Sequence, residues 1–270
     1  MKKRIRAVVT LLAALVFLGS GAMVIYQHIQ YQIGDEVYSE AQELAGVPDL
    51  SGPSVTWQEE VNVPPEVQTS KEESGEIWVD PYADALAAMD FAALQEVNSE
   101  VLGWILIPGT QLSYPLLQGE DNSKYLNTTW RGTRSSVGAI FLECASSADF
   151  SDFNTIIYGH RMRNGSMFGS LKHYAGQAYW EDHPYVYITD ENGCKTYAVF
   201  DAYEVGLTEP TYQLGDFDKE GRQTFLDFCV GQSVIETGIV PTTEDHILTL
   251  STCTGNGHET RWVVQAVLMS

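Results

Sequence analysis

Cys253 ends an eight-residue stretch, HILTLSTC, whose pattern is typical of a buried β-strand. Because side chains alternate between the two faces of a strand, we expect Leu248 and Leu250 to point into a core. Thr249 and Ser251 then share the opposite face with the thiol, toward solvent or a groove. A thiol held at the end of a rigid strand, on its outer face, is placed as an attacking nucleophile should be.

Arg261 opens the next stretch of strand character, after a loop rich in Gly and Asn, TGNGHET. Two strands joined by such a loop are expected to be antiparallel neighbours, which places Arg261 opposite Cys253. A guanidinium in that place favours the thiolate form or donates hydrogen bonds to a developing oxyanion. A buried structural cysteine next to a surface arginine is the alternative that this local pattern leaves open.

A cysteine nucleophile usually works with a histidine that moves protons. The sequence offers six histidines: His28, His160, His173, His183, His246 and His258. His160 follows an apolar, strand-like run over residues 155–158 and stands directly after Gly159, so a rigid element would aim its ring. We therefore prefer His160 by position, while a structural or solvated histidine stays open as the alternative.

The last two thirds of the chain show short apolar or alternating runs separated by turn residues, which indicate strands. We predict strands over residues 104–107, 138–142, 155–158, 185–188, 196–203, 246–250 and 261–268. Helices are predicted over 166–174 and over 218–230, where Phe225, Phe228 and Cys229 form an apolar face. Many short strands with few helices indicate a mainly β fold, either a closed barrel or a sandwich.

Helical signals precede these strands. Asp80 suits an N-cap and Pro81 the first helical position. An apolar stripe at helical spacing follows, made of Leu86, Met89, Ala93 and Val97. Asp90 is expected to cap a second short helix.

The N-terminus has the composition of a membrane anchor. Residues 7–25, 19 in all, contain no charge and follow four bases, Lys2, Lys3, Arg4 and Arg6. About 20 apolar residues cross a bilayer as a helix, and a basic flank predicts a cytoplasmic N-terminus with the remainder exported. A cleaved signal peptide ending near Ala22 is the alternative. The apolar run resumes at Met23, which favours an uncleaved anchor in the cell membrane.

The charge divides the chain into parts. The whole chain has 15 Lys and Arg against 36 Asp and Glu, a formal net charge of −21. Residues 27–80 hold 12 of these acids and one base, so we interpret them as an acidic spacer. Within them, a helix is predicted to continue over 33–44. A segment that binds a partner is the alternative to a spacer. We predict three parts: 1–26, basic tip and anchor; 27–80, spacer; 81–270, catalytic domain. This negative charge repels phosphate backbones, so we expect no nucleic-acid partner.

Three cysteines lie outside the HILTLSTC stretch: Cys144, Cys194 and Cys229. An exported protein could pair its four cysteines in three ways, but a chain of this length does not need disulfides for stability. No two cysteines form a C-x-x-C pair, so a zinc ribbon is disfavoured.

The motifs together resemble a known family. Residues 249–253, TLSTC, resemble the TLxTC motif of sortases, Tyr158-Gly159-His160 resembles the strand end that carries the sortase histidine, and Arg261 lies where the sortase arginine opens the next strand. Further stretches resemble class B sortases: GWI at 103–105, YP at 114–115, DN at 121–122, YL at 125–126, G-x-IF at 138–141, NTIIYGH at 154–160 and SMFG at 166–169 with Leu171. The resemblance runs from about residue 90 to residue 268.

The resemblance implies an eight-stranded sortase-type β-barrel with N-terminal helices and a helix, here 218–230, in the insertion between strands 6 and 7. It implies a cysteine transpeptidase in which Cys253 attacks the Thr carbonyl of a C-terminal sorting signal, LPxTG-like or NPxTN-like. A thioacyl enzyme would form, His160 would move the protons, and Arg261 would hold the substrate backbone or the oxyanion.

The resemblance also implies partners. These are surface proteins that carry a C-terminal sorting signal, a cell-wall precursor or peptidoglycan amine as acceptor, and the membrane through the N-terminal helix. By position Asn122, Leu126 and Ser251 match residues that line the class B substrate groove. The resemblance implies no metal and no other cofactor.

The chain departs from the class B pattern in two places. Thr254 and Gly255 stand where some class B members have an acidic residue, just after the cysteine. Asp80-Pro81-Tyr82 resembles the Asp-Pro-aromatic lid of class C, pilin-polymerising sortases, although the helix-cap interpretation is preferred because the rest of the chain follows class B.

Other functions remain open on the sequence. A pilin-polymerising sortase would use a lysine side chain as acceptor, and a non-catalytic barrel would bind sorting peptides without cutting them. A papain-like cysteine protease is disfavoured, because such enzymes place the cysteine before the histidine.

Overall fold

The structure, a computed structural model, describes residues 2–48, 82–215, 217–255 and 259–269. Within these residues, eight β-strands close into one barrel in the order β1-β2-β3-β4-β7-β8-β6-β5. The strands are β1 Val101–Leu106, β2 Ser113–Leu117, β3 Ile140–Leu142, β4 Asn154–Tyr158, β5 Tyr185–Asp190, β6 Gly193–Gly206, β7 Ile247–Cys253 and β8 Thr260–Leu268. β2 runs parallel to β3, and β4 runs parallel to β7. The predicted eight-stranded, mainly β barrel is confirmed.

β2 is the strand that the sequence reasoning missed. Pro115 lies in its middle, and proline is rare in strands because it has no N–H to donate. In the barrel Pro115 pairs with Trp104 of β1, and its neighbours Tyr114 and Leu116 are buried. Apolar burial therefore keeps this segment extended in spite of the proline.

β7 is covered on both faces. Leu248 and Leu250 lie in the barrel core, as predicted. Thr249 was expected on an accessible face, but it is fully buried, so this expectation is wrong. Its hydroxyl donates to Asn154 Oδ1 and accepts from Gln265 Nε2, both at 2.7 Å. The physical reason is that the insertion between β6 and β7 covers the outer face of β7 at this point.

That insertion carries the helix α5, Lys219–Gln232, which confirms the helix predicted there. Asp218 caps α5, since its Oδ1 accepts from the Gly221 N–H at 2.8 Å. Phe225 and Cys229 are buried in a second hydrophobic core between α5 and the barrel wall. The insertion is thus packed against the barrel and does not project from it.

Two short helices precede the barrel, α2 Ala83–Ala87 and α3 Phe91–Val97. Asp90 caps α3 as predicted, because its Oδ1 accepts from the Ala93 N–H at 3.0 Å. The apolar stripe expected along one helix is therefore divided between two, and Val97 at its end is exposed. The predicted cap at Asp80 and Pro81 lies outside the described residues.

The helix predicted over residues 166–174 begins later than expected. A 3-10 helix spans Gly169–Ala175, and α4 follows at Gln177–Asp182. The Asn164 side chain accepts from the Ser166 N–H at 3.2 Å and closes a turn, and Met167 has φ 54°. A helix cannot include that backbone conformation, so it starts only after Met167.

The helix α1 runs without a break over Lys2–Ala45 and confirms the continuation predicted over 33–44. Its part from Leu12 onward is long and apolar enough to cross a membrane, by length and composition. The most apolar window of that part buries none of its residues against the protein. An exposed apolar helix surface of this size fits an N-terminal anchor.

The second half of α1 packs on the barrel domain. Gln30 Oε1 accepts from Ser135 Oγ at 3.0 Å, and the Trp130 Nε1–H donates to the Val37 carbonyl at 2.8 Å. Tyr38 is buried, and its hydroxyl donates to the Gly138 carbonyl. The division of the chain at residues 26 and 80 stays a prediction, and residues 30–45 are helical and attached to the domain.

Candidate active site

Cys253, the last residue of β7, lies directly opposite Arg261 of β8 in the antiparallel pair. The neighbourhood predicted from the sequence is therefore confirmed. Both side chains are partly exposed, and the Arg261 guanidinium donates from Nη1 to the Thr260 carbonyl at 3.0 Å. A thiol and a guanidinium thus share one accessible strand end.

His160 reaches the same place from β4, which runs parallel beside β7. Past the end of β4, the Gly159 N–H donates to the Ser251 carbonyl at 3.3 Å, and the Thr252 hydroxyl donates to the Gly159 carbonyl at 2.7 Å. The His160 ring then turns back, with Nε2 2.6 Å from the Leu126 carbonyl oxygen. The Ser251 carbonyl and the Thr252 hydroxyl of β7 therefore fix the backbone of Gly159, from which His160 follows.

Gly138 lets the opposite wall approach the imidazole. Its φ is +64°, and a Cβ atom there would lie 2.6 Å from the Tyr125 oxygen and 2.9 Å from His160 Cδ2. Both distances are shorter than any ordinary contact, and a side chain is strained at this φ. A glycine is therefore required for the wall to stand this close to His160.

The three side chains open into one groove of about 310 Å³. All six residues that the sequence analysis singled out line it: His160, Cys253, Arg261, Asn122, Leu126 and Ser251. The groove is also lined by Phe141, Tyr158, Leu207 and Tyr212. Leu126 and Leu207 are 39% and 48% exposed, so the groove offers apolar contact as well as polar groups.

Asn122 is held in place by a buried carboxylate. Its Nδ2 donates to Glu143 Oε1 at 2.6 Å, and its Oδ1 accepts from the Cys144 N–H at 2.9 Å. Tyr158 donates to the other Glu143 oxygen at 2.9 Å. Burial alone would raise the pKa of Glu143, but these hydrogen bonds outweigh it and hold the pKa below its usual range. Glu143 therefore acts as an ionised acceptor beneath the groove.

Ser251 is joined to the insertion by Tyr212, whose hydroxyl lies 2.8 Å from Ser251 Oγ. Burial raises the pKa of Tyr212 to about 12, while the hydrogen bond to Ser251 and the charge of Arg261 act in the opposite direction. Tyr212 is therefore a neutral group at the edge of the groove, able to donate or accept a hydrogen bond.

The sequence reasoning missed Glu143, Tyr158 and Tyr212. Tyr158 had a signal, since it lies two residues before His160. Glu143 ends the apolar run of β3, but nothing in the sequence links it to Asn122. Tyr212 belongs to the insertion, whose path over the barrel cannot be read from local patterns.

Among the described residues, no group of three or more His, Cys, Asp or Glu side chains is arranged to hold a metal ion. All four cysteines have free thiols, and Cys229 is fully buried.

Comparison with known proteins agrees with this geometry. The family model of the Sortase domain matches residues 105–269. Sortase B of Staphylococcus aureus (strain NCTC 8325 / PS 47) is 35% identical over 164 residues, which cover 60% of this chain and 67% of that protein. Sortase B of Listeria monocytogenes serovar 1/2a (strain ATCC BAA-679 / EGD-e) is 35% identical over 182 residues, 66% of this chain and 73% of that protein.

The solved Staphylococcus aureus sortase B-substrate complex superimposes with a TM-score of 0.63 at 32% identity, covering 67% of this chain and 84% of that chain. The fold therefore agrees with the sequence comparisons, and the resemblance predicted from the motifs is confirmed. With its eight-stranded barrel, its matched domain and a cysteine, a histidine and an arginine in one groove, the chain belongs to the sortase family, in class B, whose members are cysteine transpeptidases.

Proposed function

We propose that this enzyme cuts surface proteins within a C-terminal sorting signal and joins them to an amine of a cell-wall precursor. The signal is LPxTG-like or NPxTN-like, and the cut falls between Thr and the following residue. The observation that carries the proposal is the presence of Cys253, His160 and Arg261 in one groove, with the cysteine and the arginine paired across two strands.

In the first half-reaction the Cys253 sulfur, after giving its proton to His160, adds to the Thr carbonyl carbon. The carbonyl oxygen becomes an oxyanion, which the Arg261 guanidinium binds. The C–N bond then breaks, His160 gives the proton to the leaving amine, and a thioester between Thr and Cys253 remains. Groups held ready for developing charge contribute strongly to rates in such sites.

In the second half-reaction the acceptor amine attacks the thioester carbonyl. His160 removes the proton from the nitrogen, the C–S bond breaks, and the thiolate leaves with its proton restored by His160. A new amide bond joins the surface protein to the wall precursor. Asn122, Leu126 and Ser251 contact the sorting peptide in this scheme.

The proposal includes a location. The apolar helix α1 anchors the enzyme in the cell membrane, with the basic N-terminus in the cytoplasm and the catalytic domain outside. The length and composition of α1 support the anchor, and the four N-terminal bases support the orientation.

The test uses the full-length protein in detergent with a library of sorting-signal peptides, read by intact-protein and peptide mass spectrometry. We expect an acyl adduct on Cys253 and cleavage after Thr. Adding an amine-bearing wall peptide should give a ligated product. An adduct that transfers only to a lysine of a pilin-like protein would replace wall anchoring by pilin polymerisation. No adduct with any peptide would favour a barrel that binds without cutting.

A further inference from the structure

A second cavity, of about 830 Å³, shares no lining residue with the groove around Cys253. We call it the rear cavity only to distinguish it from that groove. Its wall combines the end of α1, the connection between β1 and β2, and the loop that follows His160. Its lining includes Gln42, Pro48, Gln111, Asn164, His173 and Tyr179. Of the residues that the structure describes, no Asp or Glu lines it, although the chain has 24 acids against 10 bases after residue 80; the groove around Cys253 likewise has no acid in its lining.

Three of those ten bases gather beside the rear cavity. Arg161 and Arg163 belong to the loop whose Asn164 and Gly165 line it, and Lys172 precedes the lining residue His173. We call these three residues the basic rim. Burial, followed by the positive charges of Lys172 and Arg161, lowers the pKa of His173. The charges of both bases therefore reach a residue that lines the cavity.

Among the residues that the structure describes, no Asp or Glu forms an ion pair with the basic rim. Within the described part of the chain, the ion pairs are formed by other bases: Lys124, Arg131, Lys195 and Lys219. An arginine or lysine that is not neutralised by the protein attracts an anion in solution most strongly. The rim is thus a local exception on a strongly acidic protein.

The loop that carries two of these bases is fixed to the active site. The Phe168 N–H donates to the His160 carbonyl at 3.0 Å, and Arg161 and Met167 form a β-bridge across the loop. A methyl group on Gly255 would lie 3.0 Å from Arg161 Nη1, so the guanidinium packs against the turn that follows Cys253. The basic rim therefore extends from the turn that follows Cys253 to the rear cavity.

We propose that the rear cavity and its basic rim bind the carboxylates of the acceptor, a short wall peptide whose amine attacks the thioester. This inference rests on the proposed transpeptidation. The acceptor must reach Cys253 while the sorting peptide occupies the groove, so it needs a separate surface. A cavity of this size lies in the range of small-ligand sites, about 300–1,000 Å³. Wall peptides combine an amine with free carboxylates, which suits a rim of three cations.

The test measures binding directly, by calorimetry on the full-length protein in detergent. The probe is the tetrapeptide Ala-D-Glu-Lys-D-Ala with free carboxylates, compared with the same peptide with its carboxylates amidated. The variants are Arg163→Glu, at an exposed position of the rim, and Lys219→Glu as a matched charge reversal at an exposed position of α5. We expect Arg163→Glu to raise the dissociation constant of the free peptide about three- to tenfold.

Lys219→Glu should bind the free peptide as the unaltered protein does, and amidation should weaken binding as much as the rim variant. Equal binding of the free peptide by Arg163→Glu and the unaltered protein would overturn the inference, and so would equal binding of both peptides. Inorganic pyrophosphate binding at the rim without any tetrapeptide binding would also overturn it, in favour of a phosphate site.

A transfer assay separates this inference from the proposed function. With the acyl enzyme formed first, Arg163→Glu should reduce the ratio of ligated to hydrolysed product for the free peptide and not for the amidated one. If the unaltered protein forms no acyl adduct, the proposed function fails, while the calorimetric comparison still decides whether the rim binds carboxylates.

Discussion

The Nε2 atom of His160 lies 2.6 Å from the carbonyl oxygen of Leu126. A carbonyl oxygen only accepts hydrogen bonds, so Nε2 carries a hydrogen in both the neutral and the charged ring. In the proposed mechanism, the proton that His160 exchanges is therefore the one on Nδ1. In this chain a main-chain oxygen orients the ring. The position directly after Cys253, where some class B members have an acidic residue, is Thr254.

This contact predicts the tautomer of His160. In ¹⁵N spectra of histidine-labelled protein at a pH where the ring is neutral, Nε2 of His160 should carry the hydrogen. His183 is the internal control, because its Nδ1 lies 3.0 Å from the Pro108 carbonyl and should be protonated instead. Finding the hydrogen of neutral His160 on Nδ1 would contradict the assignment of the exchanging nitrogen.

Replacing the thiol tests the nucleophile. Cys253→Ala should abolish acyl adduct formation and sorting-peptide cleavage, measured by mass spectrometry, because no other group can form the thioester. Cys194→Ala, at a partly exposed site of β6, is the matched control and should keep near-normal turnover. Cys144→Ala should do the same. Cys229→Ala should also retain activity, with a loss of about 1 kcal/mol in stability because the site is fully buried. Cleavage that survives in Cys253→Ala would refute the mechanism.

The guanidinium of Arg261 is tested by a change that keeps its charge. Arg261→Lys should lower kcat/KM for a sorting peptide about 100-fold, because an ammonium cannot reproduce the planar fork of donors at an oxyanion. Arg222→Lys is the comparison, since Arg222 contacts the Thr243 carbonyl outside the groove. Turnover of Arg261→Lys close to that of Arg222→Lys would remove the oxyanion role.

Gly138 offers a steric test of the wall beside His160. Gly138→Ala should lower kcat/KM about tenfold or more, because the new methyl group must displace the Tyr125 backbone or the imidazole. Gly132→Ala has a similar positive φ, +79°, but no atom within 4 Å of the added carbon. It therefore carries the backbone strain alone, about 1 kcal/mol, and should keep its activity. Equal activity of the two variants would show that the wall adapts without cost.

Glu143 should make stability depend on pH. Its pKa in the folded protein is below the usual value of about 4.3, so its stabilising contribution is complete above that value and is lost as the pH falls through the folded pKa. Glu143→Gln should reduce the free energy of unfolding by about 1–3 kcal/mol at pH 7, measured with urea. The difference in the free energy of unfolding between Glu143→Gln and the unaltered protein should shrink as the pH falls below about 4.

The control for this effect is Glu96→Gln, at an exposed position of α3, which should change stability by less than about 0.5 kcal/mol at either pH. A deficit of Glu143→Gln that is the same at pH 7 and at pH 3 would mean that the charge of Glu143 contributes nothing. Its hydrogen bonds to Asn122 and Tyr158 would then act through geometry alone.

The sequence predicts some of these relationships well, for physical reasons. A short loop between two strand-like runs makes them antiparallel neighbours, so the pairing of Cys253 with Arg261 follows from local pattern. A strand that ends at Tyr158, followed by Gly159, directs His160 toward the same edge. Local periodicity and loop length are sufficient for these inferences.

Other features depend on packing between distant segments. Thr249 is buried because the insertion lies over β7, and no local pattern reports what covers a strand. Glu143 supports Asn122 across a distance of 21 positions in the chain, and Tyr212 meets Ser251 across 39. Such contacts arise from tertiary structure, which a single sequence without its fold does not display.

The attachment of α1 to the domain limits how far the domain can stand from the membrane. The apolar run of the predicted anchor ends at Ile25, and Gln30 already contacts the domain at Ser135. At about 1.5 Å per residue, these positions are separated by only about 7 Å along the helix axis, roughly the depth of a layer of lipid headgroups. If α1 spans the bilayer as proposed, the domain that carries the groove is attached to the membrane through a rigid helix and a short spacing. The distance of the domain from the bilayer is then set by residues 25–45 of α1, which are helical and attached to the domain.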